Sequence, residues 1–239
     1  MPLPKISTAE YDLKLPSNGK TIKYRPFLVR EEKILILALE SENQKQITSA
    51  VKQVLKECVI TKGIKIDQLP SFDIEYLFLN IRGKSVGESI ELLVTCGDDG
   101  KTEVPVTVLI DDIEVSSNDD HNADIELADG YSVKMKYPSL SQFIETNFNQ
   151  EDEDAVEKSF EMIATSIDMV YNDKDMFAAS ECTKKELKDW VESLTSAQFQ
   201  KIEKFFETMP KLTHTLEVTN PNTKKKNTIV LEGLTDFFA

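Results

Sequence analysis

The chain has 239 residues, of which 40% are hydrophobic and 29% are charged, so it is long enough for a substantial core and is not of the disordered class. Its 42 acidic and 28 basic residues give a net charge of −14. Because such a surface repels phosphate backbones, and the basic clusters Lys184-Lys185 and Lys224–Lys226 are short, we expect no nucleic-acid partner.

The cysteines and the N-terminus indicate a reducing compartment. Cys58, Cys96 and Cys182 are far apart and odd in number, which favours free thiols over a disulfide framework. The first residues lack an apolar signal core, and the longest apolar run, Ile34–Leu39, is too short to cross a bilayer. We therefore expect a cytoplasmic protein with no membrane partner.

The N-terminal half is predicted to combine hairpins with short helices. Tyr11–Leu15 and Thr21–Arg25 alternate in polarity on either side of Asn18-Gly19, whose glycine allows the positive φ of a tight turn, so a hairpin is predicted there. The elements predicted after it are helices over 29–41, 44–60 and 72–81 and a second hairpin over 89–95 and 102–110.

The C-terminal half is predicted to be mostly helical and closed by a final hairpin. Capping boxes formed by Thr183 with Glu186 and by Thr195 with Gln198 predict two helix starts. The other predicted elements are a hairpin over 123–137, helices over 139–148 and 155–170, a hairpin over 212–219 and 226–231, and a helical turn over 233–238. The chain lacks βαβ alternation, so the predicted fold class is α+β with antiparallel hairpins.

The acidic stretch 111–124 is the candidate boundary between two regions. It divides an N-terminal α+β region, 1–118, from a C-terminal region, 119–239, that starts with a hairpin, continues with helices and ends with the terminal hairpin. The alternatives to this division are a boundary near Pro138 and a single domain.

No residue pattern predicts catalysis. Arg82–Ser85 resembles the end of a phosphate-binding loop, but Phe78 stands where that motif needs its first glycine. The two histidines, His121 and His214, accompany no Gly-x-Ser-x-Gly motif. We therefore assign no catalytic residue and no cofactor.

Metal binding is not predicted either. Cys96 lies in a turn that resembles a zinc knuckle, but Leu93 stands where the paired cysteine would be, and the turn of the final hairpin carries Asn220 and Asn222. A single cysteine across two such turns cannot hold tetrahedral zinc. The pairs Asp111-Asp112 and Asp119-Asp120 could bind a divalent cation, but they lack the spacing of a calcium loop.

Three aromatic residues are the candidate partner-binding residues. Phe237 and Phe238 lie at the end of the sequence, where we expect burial to be difficult, and Phe27 follows the first hairpin. We expect these rings to dock onto a neighbouring protein.

Several segments, taken in order, resemble one family. They are Met1–Lys5 before the Asn-Gly hairpin, Tyr24–Lys33, Asn80–Glu88, Phe205–His214 and Leu231–Phe238. Together they resemble the baseplate hub subunits and hub assembly proteins of T4-like contractile-tailed bacteriophages, over nearly the whole chain. Members of that family often carry cysteine pairs in the late hairpin, where this chain has Asn220 and Asn222.

The resemblance implies a role in building the central hub of the baseplate through contacts with other hub and tail proteins. It implies assembly in the host bacterial cytoplasm and a place in the virion tail, and it transfers no catalytic residues. The alternatives are a transient assembly chaperone that is absent from the mature virion and a metal-dependent hydrolase that uses the Asp pairs.

Overall fold

The computed structural model describes residues 6–41, 43–128, 130–139, 142 and 155–237. Helices and small antiparallel sheets are mixed along these residues, which confirms the predicted α+β class. The helices are α1 (Val29–Glu40), α2 (Gln44–Cys58), α3 (Ser71–Val86), α4 (Ala155–Thr165), α5 (Lys184–Glu192), α6 (Ser196–Thr208) and α7 (Gly233–Asp236). The strands are β1 (Tyr11–Lys14), β2 (Thr21–Tyr24), β3 (Ser89–Thr95), β4 (Glu103–Leu109), β5 (Glu114–Val115), β6 (Asp124–Glu126), β7 (Ser132–Met135), β8 (Ile167–Tyr171), β9 (Met176–Ala178), β10 (Leu212–Thr219) and β11 (Lys226–Glu232).

The chain divides into two compact units. The first comprises Met1–Ser116 and Lys211–Ala239, and the second comprises Ser117–Pro210. The terminal hairpin belongs to the first unit because β10 pairs with β5 as well as with β11. The division into regions 1–118 and 119–239 stays a prediction about which parts fold independently.

The first unit is built around α3, which is buried on most of its surface. Its buried side chains include Phe72, Leu77 and Ile81, so the helix is a core element rather than an amphipathic surface helix. Near its N-terminus, the buried Asp73 carboxylate accepts hydrogen bonds from the Ser17 backbone N–H at 2.9 Å and from the Ser17 hydroxyl at 2.5 Å. These bonds attach the turn of the β1–β2 hairpin to the start of α3.

Two further hairpins complete the core of the first unit. Strand β3 alternates strictly between exposed and buried residues, as a strand with one buried face must, and it pairs with β4. The buried side chains of these strands share a core cluster with those of β10, β11 and the residue after α7; examples are Leu92, Val108, Leu212 and Phe237.

The second unit packs helices beside a sheet of order β6-β7-β8-β9. Its core cluster includes Val133 and Ile167 from the sheet, Ile163 from α4 and Phe205 from α6. Both predicted capping boxes are present, with Thr183 bonded to Glu186 and Thr195 bonded to Gln198.

The prediction of a helix over 155–170 is wrong in its second part. Helix α4 ends at Thr165, and Ile167–Tyr171 is strand β8, which pairs with β7 on one side and with β9 on the other. Sheet pairing overrides the helical spacing of the apolar residues in this segment. The predicted helix over 139–148 lies almost entirely outside the described residues, as does the predicted turn residue Asp129.

Within the described part of the chain, none of the helices has the length and apolar character needed to cross a membrane.

Candidate functional site

Helix α1 exposes most of its apolar surface. Only Glu31 and Ala38 are buried, whereas Val29, Ile36 and Leu37 are 79%, 49% and 55% exposed. Leu39 is also exposed, so apolar side chains reach solvent on more than one side of the helix. Because helices of globular proteins normally turn their apolar stripe inward, this exposure marks α1 as a candidate interaction surface.

A buried ionic cluster fixes the start of α1. Glu31 is 1% exposed, and its carboxylate accepts hydrogen bonds from Arg25 at 3.0 Å and from Arg30 at 2.6 Å. The same carboxylate accepts the Leu28 backbone N–H at 2.6 Å, which satisfies one donor just before the helix. Arg25 follows β2 directly, so the cluster ties the first hairpin to α1.

The electrostatics of Glu31 follow from these contacts. Burial alone would raise the pKa of its carboxyl group, but the hydrogen bonds from Arg25, Arg30 and the Leu28 backbone N–H lower that pKa from 4.5 to about 2. Glu31 is therefore charged at neutral pH and serves as an anchor of the α1 surface rather than as an acid or base.

The structure places the three predicted partner-binding residues differently. Phe27 is half-buried just before α1, and its backbone N–H donates to the Ser85 hydroxyl of α3 at 2.9 Å. Phe237 is 0% exposed and belongs to the core cluster of the first unit, so the expectation that its ring is difficult to bury is corrected. Phe238 lies outside the described residues. Partner binding by Phe27 and Phe238 stays a prediction.

The second unit exposes a short apolar strand at the edge of its sheet. In β9, Met176 is 67% exposed and Phe177 is 51% exposed. Strand β9 pairs with β8 and is the last strand in that sheet among the described residues. An exposed edge strand with apolar side chains is a second surface of the kind that proteins use for contacts.

The two turns that resemble zinc knuckles meet in the structure. The Asn220 amide donates to the Asp98 carboxylate at 2.8 Å and to the Asp99 carboxylate at 3.1 Å. Nearby, the Asn222 amide donates to the Thr102 hydroxyl at 3.0 Å, and the Thr223 hydroxyl donates to Asp98. Amide, hydroxyl and carboxylate groups thus join the turn after β3 to the turn after β10.

This polar network stabilises the charged form of its carboxylates. The hydrogen bond from the Thr102 side chain is the largest cause that lowers the pKa of Asp99, and the bond from Thr223 does the same for Asp98. Cys96 is fully buried beside them, and burial raises the pKa of its thiol. No group of three or more His, Cys, Asp or Glu side chains that could hold a metal ion occurs among the described residues. The hydrogen bonds across the juncture join the two turns of the first unit.

His121 is held as a structural residue in the second unit. Its Nδ1 lies 3.0 Å from the Thr208 hydroxyl, and its Nε2 lies 2.9 Å from the Tyr137 hydroxyl. Since the Thr208 hydroxyl donates to the Lys204 carbonyl, it is left to accept from Nδ1–H, and Nε2 then accepts from Tyr137. Both ring nitrogens are engaged, the ring lies against Phe205, and burial lowers its pKa. This arrangement does not make Thr208 a nucleophile activated by His121.

A family model matches nearly the whole chain. The family model described as T4 bacteriophage base plate protein matches residues 8–239. No curated protein matches the chain, and no solved structure matches it.

Proposed function

Because the chain belongs to the T4 bacteriophage base plate protein family, we propose that it is a non-enzymatic structural component of the baseplate hub in a contractile phage tail. It acts in tail assembly by binding other hub and tail proteins, without nucleic acid or membrane. It is made in the host bacterial cytoplasm and ends in the virion tail. The observation that carries the proposal is the family match over residues 8–239.

The exposed apolar surfaces support a role based on protein contacts. Each unit carries one: α1 with Ile36 and Leu37 in the first, and β9 with Met176 and Phe177 in the second. Exposed apolar surfaces of this kind are typical of proteins that bury them against partners in an assembly.

The second candidate function is a transient assembly chaperone that leaves before the tail matures. The net charge of −14 favours it, because an acidic protein can cover a sticky client surface and still remain dispersed.

Quantitative mass spectrometry of purified tails, alongside the lysate that produced them, separates the two candidates. A structural component is expected at a constant copy number per tail, in a small-integer ratio to other baseplate proteins. Abundance in the lysate with loss from mature tails would overturn the structural role and establish the chaperone.

A further inference from the structure

The face of α1 that points away from its buried residues combines apolar and charged side chains in one line. Val29, Lys33, Ile36, Leu37 and Glu40 share this face, because residues spaced by three and four positions lie together on a helix. All five are exposed. The buried Glu31 and Ala38 lie on the opposite side.

The charges on this face are unpaired within the described part of the chain. Lys33 and Glu40 take part in none of the ion pairs there. They stand two turns apart, or about 10 Å along the axis, which is too far for an ion pair with each other. A basic residue in the first half of the face is thus matched by an acidic residue in the second half.

We infer that this face binds the same face of a second copy of the chain, with the two α1 helices antiparallel. A twofold axis that passes between Ile36 and Leu37 brings Ile36 of each copy to Leu37 of the other. The same axis places Lys33 of each copy opposite Glu40 of the other, so that both charged pairs form at once. A twofold interface requires self-complementarity of this kind.

The charges of Lys33 and Glu40 determine both the partner and the relative direction of the two α1 helices. A parallel pair of α1 helices would place Lys33 against Lys33 and Glu40 against Glu40, which is repulsive. The apolar residues exclude water in either direction, so the direction is set by Lys33 and Glu40. The inference is independent of the proposed baseplate role, because it concerns the purified chain alone.

The dimer is weak because its interface is small. Helix α1 has 12 residues, which corresponds to a length of about 18 Å. Such a contact buries less than the roughly 800 Å² per partner of a standard interface, so we expect a dissociation constant on the order of micromolar. The net charge of −14 on each copy opposes association at low salt, and screening beyond about 8 Å at physiological salt reduces that repulsion.

Sedimentation equilibrium of the full chain and its charge variants tests the inference. The wild-type chain is expected to dimerise as its concentration rises. The variants Lys33→Glu and Glu40→Lys each turn both charged pairs into repulsive ones, so each should raise the dissociation constant about tenfold. When these two variants are mixed, every pair is again opposite in charge, and a heterodimer with near wild-type affinity is expected.

Two further variants test the apolar part of the face. Leu37→Glu keeps a good helix former and should abolish the dimer, whereas the matched control Leu93→Glu, at an exposed position of β3, should leave it unchanged. All these positions are exposed, so circular dichroism should show an unaltered fold for each variant.

Two results would overturn the inference. One is a wild-type chain that stays monomeric at concentrations well above the micromolar range; the α1 face would then bind a different protein and not a second copy. The other is a dimer that tolerates Leu37→Glu, or one in which the mixed charge variants fail to associate.

Discussion

Replacing Glu31 by glutamine tests whether the buried ionic cluster holds α1 in place. The change keeps the size of the side chain and removes its charge, as protonation would. Glu31 and Arg25 are only 1% and 13% exposed, so solvent screens their interaction weakly. The difference between an ordinary glutamate pKa of 4.5 and the value of about 2 in the fold corresponds to about 3 kcal/mol of stability. We expect Glu31→Gln to lower the free energy of unfolding at neutral pH by about that amount.

The pH dependence gives the sign of the effect independently. Since folding lowers the pKa of Glu31, its charge contributes fully above pH 4.5, and the contribution is lost as the pH falls from 4.5 towards 2. The difference in stability between the wild-type chain and Glu31→Gln should therefore be largest at neutral pH and should shrink across that window.

Urea unfolding followed by far-ultraviolet circular dichroism, repeated at several pH values, measures this difference. Glu32→Gln is the matched control, because Glu32 is the next residue of α1 and takes part in none of the ion pairs of the described residues. We expect the control to change stability by no more than about 0.5 kcal/mol. If Glu31→Gln is as mild as the control at neutral pH, the account of the cluster is wrong.

Three other predictions concern Phe237, Asn220 and His121. Phe237→Ala should lower the free energy of unfolding by about 3–5 kcal/mol, because it leaves a cavity at a core position. An unchanged urea midpoint would show that the ring of Phe237 is not buried in the core. Asn220→Ala should lower the free energy of unfolding by about 1–3 kcal/mol, because it removes a buried side chain whose oxygen accepts the backbone N–H groups of Asn222 and Thr223 and whose amide joins the two turns. A neutral effect in the same assay would contradict the joined turns. Folding lowers the pKa of His121, so its contribution to stability should fall as the pH drops below the ordinary value of 6.5. Thermal unfolding on either side of that pH should show a steeper loss in the wild-type chain than in His121→Asn, and parallel curves would refute the assignment.

The sequence predicts those elements whose signals are local. Asn18-Gly19 sets the first hairpin, and Gly19 has the positive φ of 68° that the turn requires. Thr183 and Thr195 begin helices because their side chains and those of Glu186 and Gln198 satisfy each other within four residues. Contacts so close in sequence depend little on the rest of the fold.

Long-range packing limits the prediction elsewhere. Residues 167–170 fall in the last part of the predicted helix, yet they belong to strand β8, which pairs with β7 and β9, and the local pattern does not reveal that pairing. Phe237 lies close to the end of the sequence, but it is buried among residues from strands more than a hundred positions earlier. Local sequence predicts each of the two turns, at Cys96–Thr102 and at Asn220–Lys225. The hydrogen bonds between the turns depend on the tertiary structure, so the sequence does not predict them.

The candidate interaction surface shows the same limit. The apolar run Ile34–Leu39 predicts a helix, but its composition does not say which side is buried. The structure buries a narrow stripe of α1 at Glu31 and Ala38 and leaves Ile36, Leu37 and Leu39 exposed. Glu31 lies on the buried side, although a charged residue is normally expected to face solvent, so the sequence pattern predicts the wrong side.

A cryo-electron microscopy map of the purified tail tests the baseplate role most directly. The account predicts density for the fold of the first unit, with α3 enclosed by the hairpins, at the central hub and in contact with other tail proteins. A complete tail whose hub contains no density for this chain would contradict it.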